Sequence, residues 1–223
     1  MVQCAAQQRI WRKKHRRYRP FAAKFGVMFR AVTKPTPARH LALGVAALVI
    51  LQIVVLCWLG QPWIAQSGHV LLWAGDPLSP DTSQQISDWY SFSHIIHGFA
   101  FYGILHLIAP RLPITTRLLI AIGLEVAWEI AENLPSVIEH YRRQALAVGY
   151  AGDSILNSVL DTVMMALGFA FAHRAPVWIT VALATLFELF TGVMIRDGLI
   201  LNIIGFIWTP EFIADWQTGG RAL

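Results

Sequence analysis

The sequence predicts an all-α, polytopic transmembrane helix bundle of about five spans, closed by a short C-terminal re-entrant or surface helix. Three observations predict it. Of the residues, 56% are hydrophobic and only 14% are charged, far from the balance of a soluble domain. Several apolar runs approach the ~20 residues that a helix needs to cross a bilayer. Lys and Arg crowd the segments that would share one side of the membrane, as the charge rule for membrane proteins asks. The chain divides into a basic cytoplasmic tail over 1–40 and a transmembrane helical domain over 41–223.

Residues 1–40 hold eleven Lys or Arg and no acid, a composition drawn to the anionic phosphates of a membrane surface. Phe21, Phe25, Val27, Met28 and Phe29 interleave there with Lys24 and Arg30, the pattern of a short interfacial helix. The tail reads as solvated and cytoplasmic; its basic stretch is too long for a cleaved signal peptide. No nucleic-acid partner is expected. Cys4 and Cys57 have neither metal-site nor redox spacing, so no disulfide framework is implied.

The first span covers 41–59, with Gln52 its only strongly polar residue. The segment 61–88 lacks Lys and Arg, and Trp63, Trp73 and Trp89 in and beside it suit an interfacial loop. Spans follow at 90–108, 118–133, 153–172 and 177–195, separated by Pro110 and Pro113, by a polar connection over 136–151, and by Pro176. The run 199–208 is about half a membrane long and reads as re-entrant or lying on the surface. With the N-terminus inside, the tail, Arg111, Arg117 and Arg174 put fourteen of the eighteen Lys and Arg in the cytoplasm.

That topology makes the polar residues of the spans converge. Glu125, Glu129 and Glu132 recur at spacings of four and three, on one helix face. His94 and His97 sit at the outer end of span two, Glu129 and Glu132 at that of span three, and Asp153 and Asn157 open span four. Glu125, Asp161 and Glu188 lie deeper, and Arg196 and Asp197 cap span five. Ionisable groups inside membrane segments are costly and mark function or mutual pairing. Arg142 and Arg143, in an outer loop, depart from the charge rule.

Three chemistries fit this set. His94, His97, Glu129 and Asp153 have the donor types for a divalent metal. Arg142, Arg143, Asn157 and Arg196 suit a ligand, above all a phosphate gripped by guanidinium. His94, His97, Glu129, Glu132, Asp153 and Asp161 are candidate acid–base catalysts without metal. Ser93 and Ser154 are the only hydroxyls nearby, and neither carries a nucleophile signature. The expected partner is a membrane lipid or lipid-linked molecule. The alternative is structural: the polar groups hold helices together, at ~1 kcal/mol per contact.

The motifs Trp89-Tyr90-x-Phe92-Ser93-His94-Ile95-Ile96-His97-Gly98, Trp128-Glu129-Ile130-x-Glu132-Asn133, Gly152-Asp153-Ser154-x-x-Asn157-Ser158-x-x-Asp161 and Ile195-Arg196-Asp197 occur in this order. Together they resemble an uncharacterised bacterial family of multi-pass inner-membrane proteins, of the UPF type with a domain of unknown function. The likeness covers about 89–217 and implies a plasma-membrane location but no activity. A looser likeness is to VanZ-like membrane proteins, linked to glycopeptide resistance at the cell envelope. Their polar order is similar to His97, Glu129 or Glu132, Arg142 and Asp153-x-x-x-Asn157. The glycine expected soon after the Asn is absent here, where Leu160 and Asp161 stand.

Overall fold

The computed structural model describes residues 37–143 and 149–219. The basic tail up to 36, its expected interfacial helix and part of the loop after Arg143 lie outside them. Among the described residues there are eight helices and no strand: α1 (Ala38–Leu59), α2 (Ser91–Ile108), α3 (Ile114–Glu132), α4 (Pro135–Arg142), α5 (Ile155–Arg174), α6 (Val177–Ile195), α7 (Leu199–Ile207) and α8 (Glu211–Thr218). The all-α reading is met, and the long helices begin and end within a few residues of the predicted spans.

Four helices, α1, α2, α5 and α6, are long and apolar enough to cross a membrane. α3 matches them with 19 residues, but Arg117 and its three glutamates keep it out of that apolar class. All four of those charged side chains are buried, while Ile120 and Leu124 face outward. α1 and α6 likewise turn Leu43, Ile50, Val54, Val181, Leu189 and Val193 to the exterior. An apolar surface this extensive suits lipid rather than water.

α2 and α5 form the most extensive pair, with α3 packed on α5 and α1 on α3. Two glycines explain the closeness of the first pair. A Cβ on Gly98 would run into the Met165 carbonyl, and one on Gly168 would meet the Ile95 carbonyl. Small residues at a crossing let membrane helices approach to backbone contact. At and below the crossing, Leu105, Ala121, Ile122, Val126, Met165 and Phe169 form the apolar core. Arg117 also lies at that end, buried in α3, with Nη1 3.3 Å from His106 Nδ1 and its guanidinium 5.9 Å from the Tyr102 ring centroid.

At the other end, the segment between α1 and α2 is a folded cap. Ala74 N–H donates to the Ser87 carbonyl (2.9 Å) and Ile86 N–H to the Leu71 carbonyl (3.1 Å). Its carbonyls also receive the first amides of α5: Ser154 N–H donates to Ser83 (3.0 Å), Ile155 to Pro62 (2.8 Å) and Leu156 to Trp63 (3.1 Å). These are helix-terminal donors that need partners from outside the helix. Gly152, at φ 89°, turns the chain into this docked end.

Candidate functional site

The C-terminal ends of α1, α3 and α6 and the N-terminal ends of α2 and α5 meet around one cavity of about 960 Å³. Of the residues singled out from sequence, His94, His97, Glu132, Asp153, Asp161 and Arg142 line it. Glu129 is fully buried, 3.3 Å from His94. Four separate helices and loops therefore deliver the set to one place.

Glu125 is the hub. Its Oε1 lies 2.6 Å from His94 Nδ1, and its Oε2 lies 3.1 Å from His97 Nδ1. α2 and α3 run in opposite directions here, so the deeper glutamate meets both imidazoles. In the neutral imidazole that gives its Nδ1–H to Glu125, Nε2 is the acceptor. His94 Nε2 lies 3.8 Å from Asp161 Oδ2.

The acids are held by neutral donors. Ser158 Oγ donates to Glu129 Oε2 at 2.6 Å, and Ser91 Oγ to Asp161 Oδ1 at 3.0 Å. Asn133 Nδ2 (2.8 Å) and the Tyr150 hydroxyl (2.8 Å) both donate to Asp153, whose own N–H returns to Asn133 Oδ1 (2.7 Å). Burial raises the phenols of Tyr141 and Tyr150, helped by Glu132 and Asp153, so both remain protonated donors. At the rim, burial pushes Asp197 up to about 6 against hydrogen bonds from Gly198 N–H and the Tyr90 hydroxyl. Asp88 is also raised by burial, opposed by the N–H groups of Ser83 and Tyr90.

The predicted ligand-binding residues fare differently. Arg142 Nε donates to the Tyr150 carbonyl at 2.5 Å, at the cavity edge. Arg143 is exposed, 3.9 Å from Glu139, and does not line the cavity. Arg196 takes a left-handed backbone at the end of α6 and donates to the Trp216 carbonyl at 3.0 Å, holding α8. Asn157 is buried and donates to the Gln85 carbonyl at 2.9 Å, a bond between α5 and the cap. Glu188 receives the Leu199 and Ile200 amides (3.0 and 3.2 Å) at the start of α7. Ser154 caps α5 through the Asn157 amide.

Sequence reasoning passed over Ser91, Ser158, Asn133 and Tyr150 as supports. Ser91 and Ser158 each stand three residues before a site residue, His94 and Asp161, which is the one signal that marks them. For a metal, three sets among the described residues have ligand atoms within 4.8 Å of one another: His94, His97 and Glu125; His94, Glu129 and Asp161; Glu129, Glu132 and Asp153. Asp153 thus joins the predicted set His94, His97 and Glu129 only through Glu129.

Residues 56–219 match the family model described as a protein of unknown function, DUF2585. The chain is 54% identical over 175 residues to a UPF0314 protein of Sphingopyxis alaskensis, covering 78% of this chain and 93% of the relative. It is 51% identical over 173 residues to one of Rhizobium johnstonii, covering 78% and 89%. To one of Paracoccus denitrificans it is 45% identical over 191 residues, covering 86% and 96%. These matches bear out the UPF-type resemblance; the VanZ-like one gains no support from them. No solved structure matches the chain.

Proposed function

The chain belongs to the DUF2585 family, and on that footing we propose a multi-pass inner-membrane protein that recognises or processes an anionic lipid or lipid-linked envelope precursor in its cavity. One observation carries the reading. The cavity is lined both by His94, His97, Glu132 and Asp161 and by the apolar side chains of Leu59, Leu78, Trp128 and Ile138. Such a mixed lining suits an amphipathic ligand, with a few placed polar groups orienting its head. Arg142 is the guanidinium on hand for a phosphate. α3 serves as the fifth span, and the charge distribution turns the cavity toward the periplasm.

His97 is the group best placed for acid–base work, since it lines the cavity while Glu125 orients its ring. A second reading draws on the many bonds among the polar groups themselves. Gln52, Ser158, Asn133 and Asn157 join helices and cap, as expected of interhelical adhesion. Native mass spectrometry of the protein in mild detergent separates the two. The ligand reading expects anionic lipid to copurify, and to fall at least several-fold in Arg142→Gln and His97→Gln at unchanged abundance. Lost abundance with an unaltered lipid complement would leave adhesion as the whole role.

A further inference from the structure

We propose that His94, Glu129 and Asp161 bind one divalent transition-metal ion whose open side faces the cavity, a step that rests on the head-group reading above. Each of the three side chains has one atom committed to a support and another left free. His94 gives Nδ1 to Glu125 at 2.6 Å, which leaves Nε2. Asp161 receives Ser91 on Oδ1 at 3.0 Å, which leaves Oδ2, 3.8 Å from that Nε2. Glu129 receives Ser158 on Oε2 at 2.6 Å, which leaves Oε1.

Glu129 Oε1 is the decisive atom. The residue is fully buried, and among the described residues this oxygen has no hydrogen-bond partner. It lies 3.3 Å from His94 Nδ1, but the proton on that nitrogen is committed to Glu125. A buried acceptor with no donor has lost its water and gained nothing in return, and the deficit is larger when it is charged. A cation meets that need. One ligand atom from each of the three residues lies within 4.8 Å of the others, and two donors each about 2.1 Å from one ion are separated by no more than about 4 Å. The three side chains therefore close in on the ion when it binds, with Glu129 Oε1 moving from the Nδ1 side of His94 toward Nε2.

The arrangement has the form of a metal site seen from its second shell. Metal-bound histidine commonly gives its other nitrogen to a carboxylate, and ligating carboxylates are themselves hydrogen-bonded. Here Glu125, Ser91 and Ser158 fill those places, and Gln52 in turn holds Ser158 at 2.8 Å. One imidazole and two carboxylates suit Zn²⁺, Mn²⁺, Fe²⁺ or Co²⁺. His94 and Asp161 reach the cavity wall while Glu129 stays behind it, so the remaining coordination positions face the cavity.

The ion also answers a difficulty with charge. Among the described residues, five carboxylates (Asp81, Glu132, Asp153, Asp161, Asp197) and one guanidinium line the cavity. That lining repels a phosphate unless a cation stands between. A divalent ion on the three ligands supplies the positive charge for an anionic head group.

The test uses the full chain in detergent, stripped with EDTA and titrated with Co²⁺ alone, read by visible d–d absorption and calorimetry. The expected result is one Co²⁺ per chain, with affinity falling at least tenfold in Asp161→Asn and Glu129→Gln and by about 10–100-fold in Ser158→Ala. Glu139→Gln, on the exposed end of α4, should bind as wild type. A folded wild-type protein that takes up no Co²⁺, or an undiminished affinity in folded Glu129→Gln and Asp161→Asn, overturns the site. Should Glu129→Gln not fold, Asp161→Asn and Ser158→Ala decide the matter by the same measure. Native mass spectra of the same samples keep the two proposals apart. Lipid bound without metal overturns this site and leaves the head-group reading, whereas metal bound without lipid does the reverse.

Discussion

Gln52 reaches from α1 across the bundle to Ser158 of α5, its amide donating to the serine hydroxyl at 2.8 Å and to its carbonyl at 3.0 Å. Its own carbonyl receives the Thr162 hydroxyl at 3.1 Å, and Ser158 passes the network on to Glu129. Gln52→Leu keeps the size of the side chain but removes all three of these bonds, leaving the Thr162 hydroxyl only its 3.3 Å bond to the Ser158 carbonyl and Ser158 its bond to Glu129. Lost hydrogen bonds of this kind cost about 1 kcal/mol each. A detergent melting curve should show that loss. A melting temperature equal to wild type would mean that α1 is held by apolar contacts alone.

The α2–α5 crossing makes a sharper contrast. Ala at Gly98 or Gly168 places a methyl against backbone, which cannot move aside as a side chain can. Overpacking of this kind costs about 1–3 kcal/mol. Gly103, on the same helix α2, has nothing within 4 Å of an added Cβ. Gly103→Ala should therefore be neutral or stabilise by roughly 0.5–1 kcal/mol. Equal melting temperatures for Gly98→Ala and Gly103→Ala would contradict the close crossing.

Asp197 gives the chain a pH signature. Burial holds its carboxyl at about 6, with Glu188 adding to the rise, whereas the ordinary value is 3.8. Between those values the folded chain binds more protons at this site than the unfolded one, so stability falls as pH rises from about 4 through about 6. Above that the loss is complete, at most about 3 kcal/mol. In Asp197→Asn this contribution vanishes, and the melting temperature should change less between pH 4.5 and 7 than in wild type. An unchanged slope would place the titration elsewhere.

The proposed orientation, with the N-terminus inside, rests on charge and can be tested chemically. In a background with Cys4 and Cys57 replaced by Ser, a cysteine at Ser67, in the cap, should react with an impermeant thiol reagent in intact cells. One at Ala175, between α5 and α6, should react only after lysis. The opposite labelling would put the cavity on the cytoplasmic side.

The glutamate face was legible because a helix repeats its contacts every three to four residues, and Glu125, Glu129 and Glu132 are all buried in α3. The convergence of His94 and Asp161 on that face followed from alternating spans. Glu125 as hub was harder to see. Its depth from sequence alone set it apart from the outer groups, yet antiparallel packing brings His97 down to it. The cap was not legible, since backbone carbonyls of Pro62, Trp63 and Ser83 hold it to α5, and a carbonyl leaves no mark in a sequence. Arg143 stood out as a charge against the charge rule and Arg196 as a cap of span five suited to a ligand, but their partners, Glu139 and the Trp216 carbonyl, are local.

The cap and the cavity are joined through Asn157. Its side-chain amide donates to the Gln85 carbonyl at 2.9 Å, while Gln84 reaches the Gly152 carbonyl at 2.6 Å. Both bonds lie where the cap meets the N-terminal end of α5. Asn157→Ala removes one of them and leaves a buried carbonyl unpaired, at about 1–3 kcal/mol. Because the α2–α5 crossing lies a full turn or more deeper, at Gly98 and Gly168, the loss should stay local. Hydrogen exchange in peptides spanning 61–90 should then quicken about tenfold or more, with the amides of α2 below His97 unaffected. Slow exchange in the cap would show that its grip on α5 comes from the main-chain bonds of Ser154, Ile155 and Leu156. Faster exchange throughout α2 and α5 would instead make Asn157 part of the bundle's own stability.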